Sequence, residues 1–182
     1  MRVFFAIELS PETKEAVYNY QRGLKKVDAN ISWVKPENFH ITLAFLGERR
    51  GEEVENLIDK TKDKPFDMGA FPILISNIGF FPNGKQPRVI WVGLSKGSKE
   101  VSVLYNHLKE ILRPYDSKIQ ENIKPHITLG RIRSKIRAED IYQVSDSLRL
   151  NHQDMVHGFS LLESKLHPEG AVYRQLAFFR LS

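Results

Sequence analysis

The sequence predicts a bilobal α+β fold in which two antiparallel β-sheets, related by a pseudo-twofold, surround a central cleft and carry helices on the outside. Two repeated strand patterns predict it. Arg88-Val89-Ile90-Trp91 resembles Arg2-Val3-Phe4-Phe5, and the offset is 88 − 2 = 86 residues. His126-Ile127-Thr128-Leu129 repeats His40-Ile41-Thr42-Leu43, and the offset is again 126 − 40 = 86. A helical pattern follows each Arg-Val strand, so the repeated unit contains both strand and helix.

The repeat also predicts the domain organisation. No low-complexity segment or flexible linker separates the two copies, so we expect residues 1–182 to form a single bilobal domain with an internal duplication at an offset of about 86 residues. A pseudo-twofold that relates the copies would place the two histidine strands side by side at the central cleft.

The first half begins with a strand near 2–9 that ends at a helix start signal. Ser10 is a good helix cap, Pro11 suits the first turn, and Glu12 complements the helix dipole. Alternating or β-branched apolar residues predict the strands. The elements expected in this half are a helix near 11–26, a strand near 39–46, a charged helix near 51–63 and a strand near 71–80.

The second half repeats this order and adds strands at its end. Apolar residues recur at helical spacing between 101 and 112, and a turn at 168–170 separates the last two strands. The elements expected are strands near 88–94, 126–132, 155–165 and 171–181, and helices over 101–112 and 137–148.

Composition limits the classes of function. The 182 residues are 41% hydrophobic and 27% charged, which is typical of a globular protein. No run of 18 apolar residues predicts a membrane span, and the apolar start lacks a signal-peptide pattern. The absence of cysteine excludes disulfides, thiol nucleophiles and thiolate metal sites, and it fits a cytoplasmic location. A net charge of +5 and a pI of about 9.4 favour a polyanionic partner such as RNA.

The two His-x-Thr segments carry the predicted chemistry. Side chains alternate along a strand, so His40 and Thr42 share one face, as do His126 and Thr128. Two such strands side by side would direct two imidazoles and two hydroxyls into one pocket. Opening a cyclic phosphodiester needs a base for the water and an acid for the leaving oxygen, on opposite sides of the phosphorus. Histidine suits both roles near neutral pH, and threonine hydroxyls can donate to the non-bridging oxygens.

The paired motifs resemble those of the 2H phosphoesterase superfamily. The stretches His40 to Gly47 and Pro125 to Arg131 are similar to those of bacterial and archaeal RNA 2′,3′-cyclic phosphodiesterases, a family also called 2′-5′ RNA ligase. The resemblance covers nearly the whole chain, from Val3 in the opening strand to Tyr173 near the end.

The resemblance implies a function and assigns roles. It implies hydrolysis of a 2′,3′-cyclic phosphate to a 2′-phosphomonoester, with His40 as the proton donor and His126 as the proton acceptor. It also implies that Arg131 contacts phosphate and makes Tyr173 a weaker substrate-binding candidate. The implied partner is RNA with a 2′,3′-cyclic phosphate end, such as tRNA fragments or small cyclic nucleotides. We expect no cofactor, no membrane partner and a monomeric protein.

Strand alternation raises a question at the ends of the two motifs. Strict alternation puts Arg131 on the face opposite His126, so Arg131 reaches the pocket only if the strand ends or bulges there. Phe45 occupies the equivalent place in the first copy, and the same count predicts a structural role for it in the core. Trp33, Phe80 and Phe81 can stack a base, although core or turn packing is the favoured interpretation for each.

Charged residues and the remaining histidines give weaker signals. Four basic residues alternate after the second motif and could follow an RNA backbone or form a solvated strand edge, namely Arg131, Arg133, Lys135 and Arg137. None of the other histidines forms a zinc-binding pattern, and no carboxylate near the motifs completes a ligand set, so we expect no metal.

Three alternatives to the hydrolase remain open at the level of sequence. An ATP-independent 2′-5′ RNA ligase would use the same site in the reverse direction. A non-catalytic nucleotide-binding module would keep the fold without turnover, but the retention of both histidines and both threonines argues against it. A plain RNA-binding protein would bind RNA in a salt-dependent manner with no turnover.

Overall fold

A computed structural model describes residues 1–83, 86–116 and 119–182. Within these residues the chain forms nine strands and four α-helices. The strands are β1 (Arg2–Glu8), β2 (Ile31–Trp33), β3 (His40–Glu48), β4 (Phe71–Phe81), β5 (Val89–Lys96), β6 (His126–Ile132), β7 (His152–Val156), β8 (Gly158–His167) and β9 (Gly170–Arg180). The helices are α1 (Pro11–Leu24), α2 (Gly51–Asp63), α3 (Ser98–Leu112) and α4 (Ala138–Ser145).

All strand pairs are antiparallel, and the strand order is β7-β4-β5-β6-β3-β1-β8-β9, with β2 added to β6. The predicted α+β class is confirmed. The two predicted sheets meet along β3 and β6, where the register pairs Ile41 with Ile127. The two histidine strands therefore lie side by side in the middle of one continuous sheet.

Each half of this sheet combines strands from distant parts of the sequence. On one side β1 pairs with β3 and with β8, and β8 pairs with β9. On the other side β5 pairs with β6 and with β4, and β4 pairs with β7. The late strand β8 thus completes the half that contains β1, and the early strand β4 completes the half that contains β5.

The start of α1 follows the predicted signals. The Ser10 Oγ accepts a hydrogen bond from the Thr13 amide (3.2 Å), and Pro11 occupies the first turn. Val17 and Leu24 are fully buried against the sheet, and the helix ends at Leu24, two residues before the predicted end. Burial of this apolar stripe fixes α1 on the face opposite the cleft.

The register of β1 corrects the sequence alignment of the repeats. In β1, Ile7 pairs with Ile41 and Glu8 with His40, whereas in β5 Val92 pairs with Ile127 and Gly93 with His126. Relative to the histidine strands the offset is therefore 93 − 8 = 85 residues. The alignment of Arg2 with Arg88 is therefore wrong by one residue. The matching Arg-Val pairs suggested an offset of 86, whereas the strand pairing gives 85.

The C-terminal strands differ from the prediction in one place. The single strand expected near 155–165 is two strands, β7 and β8, which are separated at His157. β7 pairs with β4, whereas β8 pairs with β1 and β9. The chain thus changes from one half of the sheet to the other at His157.

Within the described residues, no helix is both long and apolar enough to span a membrane.

One large hydrophobic core lies between the sheet and the helices. It includes Ile41 and Ile127 from the histidine strands and Leu104 and Leu108 from α3. Because neighbouring side chains on a strand point to opposite faces, burial of Ile41 and Ile127 directs the histidines to the other face. A second, smaller cluster on that face contains Phe4, Ala6 and Leu162, with Tyr173 packed against it.

Candidate active site

A cleft of about 470 Å³ opens where β3 and β6 meet. The structure brings all six residues predicted for the site to its walls. They are His40, Thr42, His126, Thr128, Arg131 and Tyr173. A cavity of this volume matches the size range of small-ligand sites in proteins.

Hydrogen bonds orient the His40 ring in the cleft. Its Nδ1 lies 2.7 Å from the carbonyl oxygen of Asn38, and its Nε2 lies 2.9 Å from the Thr42 Oγ1. A carbonyl can only accept, so Nδ1–H donates to it and the neutral ring has its lone pair on Nε2. Nε2 is therefore the nitrogen that exchanges a proton with the cleft, and the Thr42 hydroxyl donates to it in the neutral form.

The His126 ring is held in the same way. Its Nδ1–H donates to the carbonyl oxygen of Lys124 at 2.6 Å, which again lies two residues earlier in the chain. Both imidazoles therefore use one nitrogen for a fixed backbone contact and keep the other for chemistry. Such a backbone contact sets the tautomer of a histidine and its ring orientation.

Aromatic rings surround each imidazole. The His40 ring lies 5.1 Å from Phe4 and 5.4 Å from Tyr173, measured between ring centroids. The His126 ring lies 5.0 Å from Phe81 and 5.8 Å from Trp91. These contacts restrict both rings to one position and exclude water from their sides.

Burial lowers the pKa of both histidines below its usual value. For His40, burial is the largest cause, the Asn38 hydrogen bond raises the pKa, and the charges of His126 and Lys14 lower it further. For His126, burial again comes first and the Lys124 charge adds to the lowering. Since the charge of His126 affects the pKa of His40, the pair disfavours double protonation, as one acid and one base require.

A β-bulge follows the threonine in both motifs. In β3, Ala44 pairs with Phe5 and Thr42 with Ala6, which leaves Leu43 without a partner. In β6, the pairing skips Leu129 in the same way, between the partners of Ile90 and Trp91. A bulge adds one residue to a strand and reverses the alternation beyond it.

The bulges decide which side chains reach the cleft. Arg131 lies on the cleft face, as expected for a strand that bulges before this residue. Phe45 lies at the equivalent place in β3. The expectation that Phe45 belongs to the core is wrong, because 60% of this residue is exposed and it lines the cleft. The unpredicted bulge is the physical reason for this error.

A buried glutamine stabilises the bulge in β6. The Nε2 of Gln21, on α1, donates to the carbonyl oxygens of Leu129 (2.9 Å) and Val34 (2.8 Å). The Val34 amide also donates to the Leu129 carbonyl at 2.9 Å. The Leu129 carbonyl at the bulge is thereby satisfied twice.

The weaker candidates separate into cleft and non-cleft residues. Phe81 lines the cleft beside His126, whereas Phe80 is a core residue with 3% exposure and Trp33 packs against the core outside the cleft. Arg133 donates to the Ser32 hydroxyl and Arg137 forms an ion pair with Asp140. These two arginines thus contact neighbouring surface residues.

The sequence did not indicate two further parts of the wall. Lys124 lines the cleft, and its Nζ lies 4.5 Å from the centroid of the Trp91 ring. Ile119 and Gln120 come from the connection between α3 and β6, where the Tyr105 hydroxyl donates to the Gln120 carbonyl at 2.5 Å. The only available signal was the position of Lys124 two residues before His126.

Within the described residues, no three or more histidine, cysteine or carboxylate side chains are grouped so that they could hold a metal ion. Among the described residues that line the cleft, the carboxylate is that of Asp116. The prediction that the protein needs no metal stays a prediction.

The fold and the two histidine–threonine pairs at one cleft define a phosphoesterase of the two-histidine class. The LigT-like phosphoesterase model matches the chain twice, over residues 7–91 and 92–173. The chain therefore belongs to the LigT-like phosphoesterase family.

Individual relatives are similar over their full lengths. The RNA 2′,3′-cyclic phosphodiesterase of Archaeoglobus fulgidus is 32% identical over 180 residues, which cover 98% of this chain and 99% of the relative. The protein of the same name from Methanothermobacter thermautotrophicus is 28% identical over 183 residues, 100% of this chain and 99% of the relative. The crystal structure of TT0787 of Thermus thermophilus superposes with a TM-score of 0.81 at 27% identity and covers 100% of this chain and 98% of that one.

Proposed function

We propose that this protein is an RNA 2′,3′-cyclic phosphodiesterase that opens the cyclic phosphate to a 2′-phosphomonoester. Membership of the LigT-like family and the names of the full-length relatives support this function. The substrate is RNA that ends in a 2′,3′-cyclic phosphate, including tRNA fragments and small cyclic nucleotides.

One observation carries the proposal. Two imidazoles, each fixed through Nδ1 to a backbone carbonyl two residues earlier, line the same cleft beside a threonine from their own strand. In-line displacement at phosphorus needs an acid and a base on opposite sides of one phosphate. Two proton-exchanging Nε2 atoms at one cleft offer such an acid and such a base.

The proposed reaction uses the four motif residues in two roles. The Nε2 of His126 takes a proton from water, whose oxygen attacks phosphorus as the bond to O3′ breaks. The protonated Nε2 of His40 donates its proton to O3′, and the phosphate remains on O2′. The hydroxyls of Thr42 and Thr128 donate to the non-bridging oxygens, where negative charge increases in the transition state.

Further cleft residues bind the substrate around this centre. The Arg131 guanidinium can donate two parallel hydrogen bonds to a phosphate, a geometry that favours arginine over lysine. Phe45 offers an exposed ring at the cleft for stacking of the terminal base. Tyr173 packs edge-on against His40 and Phe4 and supports the ring of His40 from the side.

The organisation of the chain follows from the same family relationship. We propose one bilobal domain over residues 1–182 that arose by internal duplication, which the double match of the family model supports. The monomeric state and the cytoplasmic location stay predictions.

The test uses a short RNA with a 2′,3′-cyclic phosphate end, incubated with the protein in EDTA. The expected product is a 2′-phosphate end. His40→Ala and His126→Ala should each lower kcat by about a hundredfold to ten-thousandfold, the usual contribution of one acid or base.

The matched control is His107→Ala, because His107 is an exposed histidine on α3 outside the cleft. It should keep the wild-type rate. A 3′-phosphate product, or activity that returns only with added metal, would show that the proposed reaction is wrong.

A further inference from the structure

A second hollow of about 210 Å³ adjoins the catalytic cleft. Three residues border both cavities, namely Asn38, His40 and Tyr173. The hollow therefore begins at the His40 side of the reaction centre. Neither the family match nor the relatives' names assign it a role.

Two lysines reach this hollow from different elements. Lys14 comes from α1, and its Nζ donates to the Glu37 carbonyl at 2.9 Å, which places its charge beside the hollow. Lys35 comes from the connection to β3, and its Cε lies 3.8 Å from the ideal Cβ position of Gly170 at the start of β9. Gln175 on β9 adds an exposed amide.

Two carboxylates also border the hollow. Glu8 accepts a hydrogen bond from the fully buried Ser160 hydroxyl at 2.5 Å, which holds one of its oxygens. Glu37 is exposed and lies two residues from Lys35. Opposite charges at one cavity predict opposite effects on the binding of a phosphate group there.

The connectivity of RNA determines which side of the centre the strand occupies. The ribose that carries O2′ and O3′ also carries C5′, through which it joins the preceding phosphodiester. With O3′ beside His40, the rest of the strand leaves the cleft past His40. The hollow lies on that side and shares Asn38 and Tyr173 with the cleft.

We infer that this hollow binds the penultimate nucleotide of the RNA strand, with Lys14 and Lys35 near the phosphodiester that precedes the terminal ribose. The inference rests on the proposed function and on O3′ lying beside His40. The enzyme should therefore prefer an oligonucleotide over a cyclic mononucleotide. This preference comes from residues outside the catalytic pair.

The test compares a dinucleotide that ends in a 2′,3′-cyclic phosphate with the corresponding 2′,3′-cyclic mononucleotide. The kcat/KM for the dinucleotide, divided by the kcat/KM for the mononucleotide, measures how much binding in the hollow contributes. Lys35→Ala should lower this ratio by up to about fivefold, the effect of one partly exposed charge contact. Glu37→Gln should raise it, because a repelling carboxylate is removed. Both effects should decrease at high salt.

Lys26→Ala is the matched control, since Lys26 is an exposed cation beyond the end of α1 and outside both cavities. It should leave the ratio unchanged. Opposite shifts for Lys35→Ala and Glu37→Gln support the inference, and any other pattern overturns it. If the wild-type protein hydrolyses neither substrate, the proposed function fails instead.

Discussion

Replacement of Gly79 by alanine should damage the site through Trp91. A Cβ at Gly79 would lie 2.2 Å from the Cζ2 and Cη2 atoms of the Trp91 ring. Ordinary contact begins at 3.4 Å, so the ring must move by 3.4 − 2.2 = 1.2 Å. The ring cannot leave easily, because only 5% of Trp91 is exposed.

The displaced ring has His126 as a neighbour, at 5.8 Å between centroids. We expect Gly79→Ala to lower the free energy of unfolding by about 1–3 kcal/mol, the usual effect of overpacking in a core. We also expect kcat to fall by about a hundredfold, because a shift of about 1 Å at a catalytic group has effects of this size.

Urea unfolding and steady-state kinetics measure the two effects. Gly69→Ala is the matched control, since a Cβ at Gly69 meets nothing within 4 Å. Adding Trp91→Phe to Gly79→Ala should restore part of the lost stability, because the smaller ring leaves space. If Gly79→Ala unfolds at the wild-type urea concentration with unchanged kcat, the packing of Trp91 on this glycine does not support the site.

Three further substitutions test other parts of the cleft. Phe45→Ala should raise the KM for a cyclic nucleotide by about fivefold to a hundredfold, since base stacking contributes about 1–3 kcal/mol; an unchanged KM would exclude Phe45 as a stacking platform. Lys124→Gln should raise the pKa of His126, because the Lys124 charge is one of the causes that lower it. The acidic limb of the pH profile of kcat/KM should then move to higher pH, and a shift to lower pH would contradict this sign. Gln21→Leu should lower the free energy of unfolding in urea by about 1–3 kcal/mol, because the Leu129 carbonyl loses a buried donor; equal stability would show that the remaining bond is sufficient.

The sequence predicted the parts of the fold that depend on local patterns. Ser10 and Pro11 mark the start of α1 correctly, and the charged helix over 51–63 has the predicted bounds. Alternation placed His40 and His126 on the face opposite the buried isoleucines. These features follow from capping, periodicity and side-chain alternation, which act within a few residues.

Features that depend on strand pairing could not be predicted. The bulges at Leu43 and Leu129 require knowledge of the neighbouring strand, and they moved Phe45 from the expected core position to the cleft. The pairing of β8 with β1 joins segments more than 150 residues apart. One of the two donors to the Leu129 carbonyl is Gln21, 108 residues earlier, and no local pattern indicates it.

The central claim is that His40 and His126 act on opposite sides of one phosphate, His40 as acid and His126 as base. A substrate in which sulfur replaces O3′ tests this directly, because a thiolate leaves without protonation far more easily than an alkoxide. We predict that this substrate restores most of the rate lost in His40→Ala and little of that lost in His126→Ala. Equal behaviour of the two variants, or rescue of His126→Ala alone, would contradict the assignment.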